Sequence, residues 1–205
     1  MKIDIIDIGI GNINSVENWL IRSNINCNKI NNPDDLSSDL IILPGVGSAK
    51  IYSKKLKEKK FDIAIKNHLA QGGRLIGICL GFQILYDYLQ EDGGVQGLGI
   101  LKGKVEQLET NNSHTGWEEF IFKKEQLTKK WKMKTFTKSK KTIIRGRVFY
   151  NHNYGIVTTE NKTTKIEIPN YNRFLSLVST DQIVGFQFHP EKSQWTGKSL
   201  IEMIY

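Results

Sequence analysis

The sequence predicts an α/β protein: a three-layer, open and mostly parallel sheet flanked by helices, with a more antiparallel second half. Three observations predict it. Short apolar runs alternate with helical patterns through the first ninety or so residues, the grammar of a parallel sheet. Cys79 stands between Gly77 and Gly81 where an apolar run gives way to helical spacing, the pattern of a sharp strand-to-helix turn. Past Gly93, glycine-punctuated short runs read as turns and antiparallel strands. No repeat and no linker divides the chain, so residues 1–205 are expected to form one domain.

Taken in order, Lys2 to Ile8 (KIDIIDI) reads as the first strand, with Asp7 near its end. Gly9 to Ser15 is then a loop entering a helix from Val16 to about Arg22, with Ser15 as the expected N-cap. Its glycines hint at a dinucleotide loop, but Asn14 stands where a third glycine is required, so nucleotide binding is not supported. Cys27, in a polar connection or short strand, has no glycine neighbours and reads as an ordinary small side chain. Asp39 to Leu43 (DLIIL) is a second buried strand, ended by Pro44-Gly45-Val46-Gly47-Ser48. Such a loop is a common turn, yet beside a candidate nucleophile its unobstructed amides are what an oxyanion needs.

Phe61 to Ala70 has a helical pattern stopped by Gly72-Gly73, and Leu75 to Ile78 is the apolar strand leading to Cys79. Phe82, Leu85, Tyr86 and Leu89 then fall at helical spacing. The glycines around Cys79 let the backbone turn tightly, and the following helix start favours the thiolate, the reactive form of the sulfur. Ligands of parallel sheets lie at the strands' carboxyl ends, so Asp7, Pro44 to Gly47 and Cys79 are expected to share one crevice.

In the second half, Gly97 to Val105 suggests turns and short strands, His114-Thr115-Gly116-Trp117 a loop, and Arg145 to Tyr150 a strand. Ile183 to Phe188 is a clear strand running into His189-Pro190-Glu191. An imidazole there can exchange a proton with the thiol while the carboxylate fixes its tautomer. Alone, His-x-Glu is incidental surface chemistry. Beside a glycine-flanked cysteine and a glycine loop it completes a nucleophilic triad.

Composition bounds the alternatives. The formal charge is +8, from 29 Lys and Arg against 21 Asp and Glu. The basic runs, Lys54 to Lys60 and Lys123 to Lys141, are mixed with acids and polar residues and read as solvated faces. No aromatic-studded RNA motif, helix-turn-helix or zinc spacing accompanies them, so no nucleic acid, metal or cofactor is expected. Two cysteines give no disulfide framework, and no signal-peptide or membrane-spanning pattern is present; a cytoplasmic protein without membrane contact is expected.

GICLGFQ around Cys79 and FQFHPEKS around His189 resemble the class I (triad) glutamine amidotransferases. With DIGIGN (Asp7 to Asn12), LPGVG (Leu43 to Gly47), GLGILKGKV (Gly97 to Val105) and HPEKSQ (His189 to Gln194), the set is similar to the glutaminase subunits of imidazole glycerol phosphate synthases, across nearly the whole chain. The resemblance implies Cys79 as nucleophile, His189 as general base and acid, and Glu191 as the orienting carboxylate. It implies glutamine as substrate, contacted by Gly45, Val46, Gly47, Leu80, Gln83, His152, Asn153 and Tyr154, with the Leu80 amide and one from the Val46-Gly47 loop as oxyanion donors. The implied partner is a cyclase subunit with a (β/α)₈ barrel, forming a heterodimer and met on the side of Asn12, Trp117 and Lys192. The implied pathway is histidine biosynthesis.

Ser113 replaces the usual proline before His114, Glu118 the usual asparagine after Trp117, and Asn153 the usual serine, while Val148-Phe149-Tyr150-Asn151 departs from the family's aromatic-rich strand. These departures keep open a paralogue that feeds ammonia to a sugar amidotransferase in surface-glycan synthesis. A cysteine peptidase, which would not explain Gln83 or HPEKSQ, and a non-catalytic scaffold are the rival classes.

Overall fold

A computed structural model describes residues 2–109, 113–128, 131, 142–158, 164–169 and 171–205. Most of the basic run from Lys123 to Lys141 lies outside the described residues. The chain opens with β1 (Lys2–Ile6), α1 (Ile13–Arg22), β2 (Asn26–Ile30), β3 (Leu40–Gly45), α2 (Ala49–Glu58), α3 (Phe61–Ala70) and β4 (Arg74–Cys79). A single turn, α4 (Leu80–Gln83), leads to short strands β5 (Tyr88–Leu89), β6 (Val95–Gln96) and β7 (Lys104–Gln107). Then come β8 (His114–Lys123), β9 (Ile143–His152), β10 (Tyr154–Val157), β11 (Thr164–Ile168), β12 (Tyr171–Ser179), β13 (Ile183–Phe186) and α5 (Gln194–Ile204).

The principal sheet has seven strands in the order β11-β12-β13-β4-β3-β1-β2. From β13 to β2 every pairing is parallel, whereas β11, β12 and β13 pair antiparallel. Strand side chains alternate between faces, so a sheet covered on both sides needs continuous apolar runs. Ile3, Ile5, Leu40, Ile42, Ile76 and Ile78 accordingly pack on one side with Val16, Leu20, Leu200 and Ile204 of α1 and α5. Ile6, Ile41, Leu43 and Leu75 pack on the other with Tyr52, Leu56, Phe61 and Ile65 of α2 and α3. These are the three layers. The one carboxylate inside the β1 run, Asp4, is fully buried but satisfied: the amides of Ser37 and Ser38 donate to it at 2.8 and 2.9 Å, and the Asn28 amide at 3.1 Å.

The structure corrects four local expectations. First, β1 stops at Ile6, and α1 begins at Ile13 with Asn12, not Ser15, at its N-cap. The Asn12 carbonyl accepts the Ser15 and Val16 amides, while its side chain does not cap the helix but turns to Glu191. Second, the lysines from Lys54 to Lys60 are exposed or half-buried, as a solvated face should be, but Ala49–Glu58 form an unanticipated helix, α2, whose buried side includes Tyr52, Ser53 and Leu56. Third, the helical spacing from Phe82 to Leu89 yields only one turn. Instead of continuing, the carbonyls of Ile84, Leu85 and Tyr86 accept the amides of Leu98, Gly99, Ile100 and Leu101. A segment ten or more residues away captures the acceptors a helix would have used. Fourth, His114 to Trp117 lies in β8, paired with β9 from His114↔His152 to Lys123↔Ile143. Among the described residues no helix is long and apolar enough to cross a membrane.

Candidate active site

Cys79 is the last residue of β4, with φ 51° and ψ −114°. A non-glycine residue there is strained by about 1–3 kcal/mol and must be held by its surroundings. Close backbone packing holds it. A Cβ on Gly81 would lie 2.0 Å from the Leu43 carbonyl oxygen, and one on Gly45 would lie 2.3 Å from the Gly81 amide nitrogen. The elbow is thus wedged against the Pro44–Gly47 loop, which ends the neighbouring strand at Gly45↔Cys79. The Tyr52 hydroxyl donates to the Pro44 carbonyl at 2.6 Å, tying that loop to α2. Gly47, at φ +92°, takes a turn that no side chain favours.

β13 lies on the other flank of β4 and delivers His189 three residues beyond its end. The His189 amide donates to the Phe149 carbonyl at 2.8 Å, anchoring the turn to β9. Its Nδ1 meets Glu191 Oε1 at 2.7 Å, with both side chains buried, and its ring faces Cys79 closely enough for the two to interact electrostatically. Burial pushes the imidazole down, but the facing Cys79 and then Glu191 outweigh it and raise His189 to about 10. The Asn12 amide donates to the same Glu191 oxygen. Cys79, His189 and Glu191 therefore meet in one place, and Asn12 is packed behind the carboxylate.

Above the elbow is a cavity of about 180 Å³ lined by Val46, Gly47, Cys79, Leu80, Gln83 and His152 to Tyr154 among others. Of the expected substrate contacts only Gly45 does not line it; that residue packs beneath Gly81. Gln83 Nε2 donates to the Tyr154 carbonyl at 2.7 Å and to Gln187 Oε1 at 3.0 Å, and Gln187 Nε2 faces the Cys79 sulfur at 3.8 Å. Sequence reasoning missed Gln187, although a glutamine inside the apolar run IVGFQF was a signal that a polar partner awaited it. It also missed Glu91, which lines the cavity and whose carboxyl is raised to about 7 by burial and then by Asp92. Ser113 and Asn151 line the rim.

Behind His152 stands His114, its cross-strand partner. The two rings meet at 3.0 Å; His152 Nδ1 contacts the Tyr154 carbonyl at 2.8 Å, and His114 Nε2 contacts Glu118 at 3.3 Å. Burial pushes His152 down to about 3 and also lowers His114, where Glu118 opposes the shift. Toward solvent, Trp117 packs edge-on to Phe149, and Lys192 Nζ lies 5.7 Å from the same ring's centroid. Among the described residues no group of three His, Cys, Asp or Glu side chains is placed to hold a metal ion.

A strained cysteine at a sheet's carboxyl edge, faced by a histidine–glutamate pair, is the arrangement of a nucleophilic-cysteine triad enzyme, a class that includes the triad amidotransferases. Residues 4–203 match the model of the glutamine amidotransferase class-I family. The imidazole glycerol phosphate synthase subunit HisH of Aquifex aeolicus is 35% identical, over 98% of this chain and 95% of that protein. The HisH subunit of Thermotoga maritima is 30% identical over 100% and 96%, and that of Bacillus subtilis 32% identical over 97% and 93%. Among solved structures, one described as a glutamine amidotransferase aligns with a TM-score of 0.75 at 16% identity, covering 98% of this chain and 96% of that one. PurLQS from Thermotoga maritima aligns at 0.74 and 18%, covering 99% and 96%; both likenesses speak to the fold. The chain belongs to the class-I glutamine amidotransferase family and, within it, groups with the HisH subunits of imidazole glycerol phosphate synthase.

Proposed function

We propose that this chain is the glutaminase subunit of an imidazole glycerol phosphate synthase, releasing ammonia from glutamine for a cyclase partner in histidine biosynthesis. The observation that carries the reading is the meeting of Cys79, His189 and Glu191 beneath a cavity lined by Gln83 and the Val46-Gly47 loop. Residue 1–205 unity as one domain is part of the same proposal.

Cys79, paired with a protonated His189, attacks the side-chain amide carbon of glutamine as the thiolate. The Leu80 amide and one from the Val46-Gly47 loop donate hydrogen bonds to the developing oxyanion; each such donor is worth roughly 10²–10³ in turnover. His189 gives its proton to the departing nitrogen, the carbon–nitrogen bond breaks, and ammonia leaves a γ-glutamyl thioester. Water then adds to the thioester and its proton passes to His189. The carbon–sulfur bond breaks, glutamate leaves and the thiolate is restored. Glu191 keeps Nδ1 protonated so that Nε2 always faces the sulfur. Glu91 supplies a carboxylate for the substrate's α-ammonium group.

Ammonia set free in water is protonated and lost, so its consumer must sit over the site. The partner is a (β/α)₈-barrel cyclase docked on the side of Asn12, Trp117 and Lys192, and the chain works in the cytoplasm. The test combines this chain with the barrel subunit and glutamine labelled in its amide nitrogen. Label is expected in imidazole glycerol phosphate and none in a Cys79→Ala complex; label passing instead to a sugar acceptor, or ammonia release surviving in Cys79→Ala, overturns the reading.

A further inference from the structure

The contacts around His114 cannot all be hydrogen bonds unless an additional proton is present. Three contacts run in series: His152 Nδ1 to the Tyr154 carbonyl at 2.8 Å, His152 Nε2 to His114 Nδ1 at 3.0 Å, and His114 Nε2 to Glu118 Oε1 at 3.3 Å. Each needs a proton between its two atoms, and two neutral imidazoles supply two. A carbonyl only accepts, so the first proton is fixed on His152 Nδ1. If His114 then carries its own proton on Nδ1, a bare nitrogen faces a carboxylate. If it carries it on Nε2, two bare ring nitrogens face each other. Either way a buried acceptor is opposed by another acceptor, in a region where such a mismatch is expensive.

We propose that Glu118, His114 and His152 form a relay that holds one extra proton, resting on His114, and that this relay is a positioning element for the glutamine pocket. His114 is built to carry the charge. Its ring stacks on Tyr150 at 4.5 Å and lies 4.6 Å from Tyr171, so two aromatic faces meet it while Glu118 and His152 take its protons in the ring plane. Burial pulls the other way, toward a neutral ring. The mismatch that neutrality would leave outweighs it. The groups facing His114 are Glu118 from its own strand, His152 and Tyr150 from β9 and Tyr171 from β12; His189 adds its charge beyond His152.

The relay's far end explains its purpose. The Tyr154 carbonyl that accepts from His152 also accepts from Gln83 Nε2, and Gln83 in turn holds Gln187 against the Cys79 sulfur. One line of hydrogen bonds therefore runs from Glu118, partly exposed beside Trp117, to the nucleophile. Glu118 and His114 touch neither sulfur nor cavity; they act by fixing the wall on which Gln83 rests.

This inference rests on the glutaminase reading for its purpose but not for its proton, and the experiment keeps the two apart. In the chain labelled with ¹⁵N-histidine, NMR near pH 7 is expected to show both ring nitrogens of His114 protonated, and one protonated in Glu118→Gln, whose amide donates in place of the lost proton. In complex with the cyclase partner, Glu118→Ala is expected to raise the KM for glutamine about tenfold with little change in kcat, and Glu118→Gln to restore it. A neutral His114 in the wild-type chain overturns the proton assignment, and an unchanged KM in Glu118→Ala overturns the positioning role. Should the wild-type complex release no ammonia, the glutaminase reading fails while the NMR result still decides the proton.

Discussion

Gly81 and Leu43 touch backbone to backbone: a Cβ on Gly81 would sit 2.0 Å from the Leu43 carbonyl oxygen and 3.0 Å from the carbonyl carbon of Pro44. The Cys79 turn and the Pro44–Gly47 loop, the proposed nucleophile and oxyanion elements, are therefore fixed against each other, with no flexible side chain between them to give way. Gly81→Ala is expected to destabilise the fold by about 3 kcal/mol, at the upper end for overpacking, because only backbone can move. It should also cost most of the glutaminase activity by pushing Cys79 away from the loop. Urea unfolding together with an ammonia-release assay checks both; a variant of wild-type stability would mean that the two loops are not mutually braced.

The pairing of His189 with Cys79 predicts a sign for pH dependence. His189 is raised from 6.5 to about 10, so the folded chain holds this proton more tightly than the unfolded one. Its contribution to stability is complete below about pH 6.5 and is lost as pH rises through about 10. Cys79→Ala removes the sulfur and leaves Glu191 as the main support against burial. The His189 ring is then expected to titrate at a distinctly lower pH, and the alkaline loss of stability to begin earlier. Ring-nitrogen NMR titrations of the two proteins, paired with unfolding at several pH values, read this directly. Coincident titration curves would show that sulfur and imidazole are not an ion pair.

The parallel half of the fold was legible because β1, β3 and β4 are buried on both faces, and such strands leave continuous apolar runs that need no partner to be recognised. Cys79 and His189 were legible for a related reason: each sits at the end of such a run, where the sheet points its side chains into one crevice. What was not legible depends on distant chain. Phe82, Leu85, Tyr86 and Leu89 keep helical spacing and are all buried, yet the carbonyls of Ile84, Leu85 and Tyr86 between them are claimed by residues 98–101, and no local pattern reports that. Glu91 looked like any loop acid, because its place over the cavity is decided by the fold of that same segment. His114 read as a loop residue because Gly116 interrupts the alternation; only its register against His152 reveals the buried pair.

Glu91 offers a prediction that separates substrate binding from chemistry. Its carboxyl is raised to about 7 by burial and by Asp92, against the lowering effect of the nearby Ala49 amide. Below that pH it is protonated and has no charge for the α-ammonium group of glutamine; above it the charge is present. The KM for glutamine is therefore expected to fall as pH rises through about 7. Glu91→Gln should raise KM by roughly 10- to 100-fold, the value of a charge-assisted hydrogen bond, and remove this pH dependence. Steady-state kinetics of both proteins between pH 6 and 8 measures it, and a Glu91→Gln enzyme with the same sloping profile would assign the titration to another group.

Trp117, Phe149 and Lys192 form one surface feature, and it adjoins the triad. Trp117 remains 36% exposed with its ring edge-on to Phe149 at 5.6 Å, and Lys192 Nζ lies 5.7 Å from the Phe149 centroid. The Phe149 carbonyl holds the His189 amide, and Lys192 directly follows Glu191, so a protein seated on this ring bears on the residues that place the imidazole. A large aromatic presented on a well-packed neighbour is the kind of group that dominates an interface. Trp117→Ala is expected to weaken binding of the proposed cyclase partner by about 30-fold or more, corresponding to about 2 kcal/mol or more. Because that side chain is partly solvent-facing in the isolated chain, fold stability should change by less than about 1 kcal/mol. Titration calorimetry against the barrel subunit and urea unfolding of the isolated variant separate these effects. Unchanged affinity would place the partner elsewhere, and the coupling through Phe149 and Lys192 would fall with it.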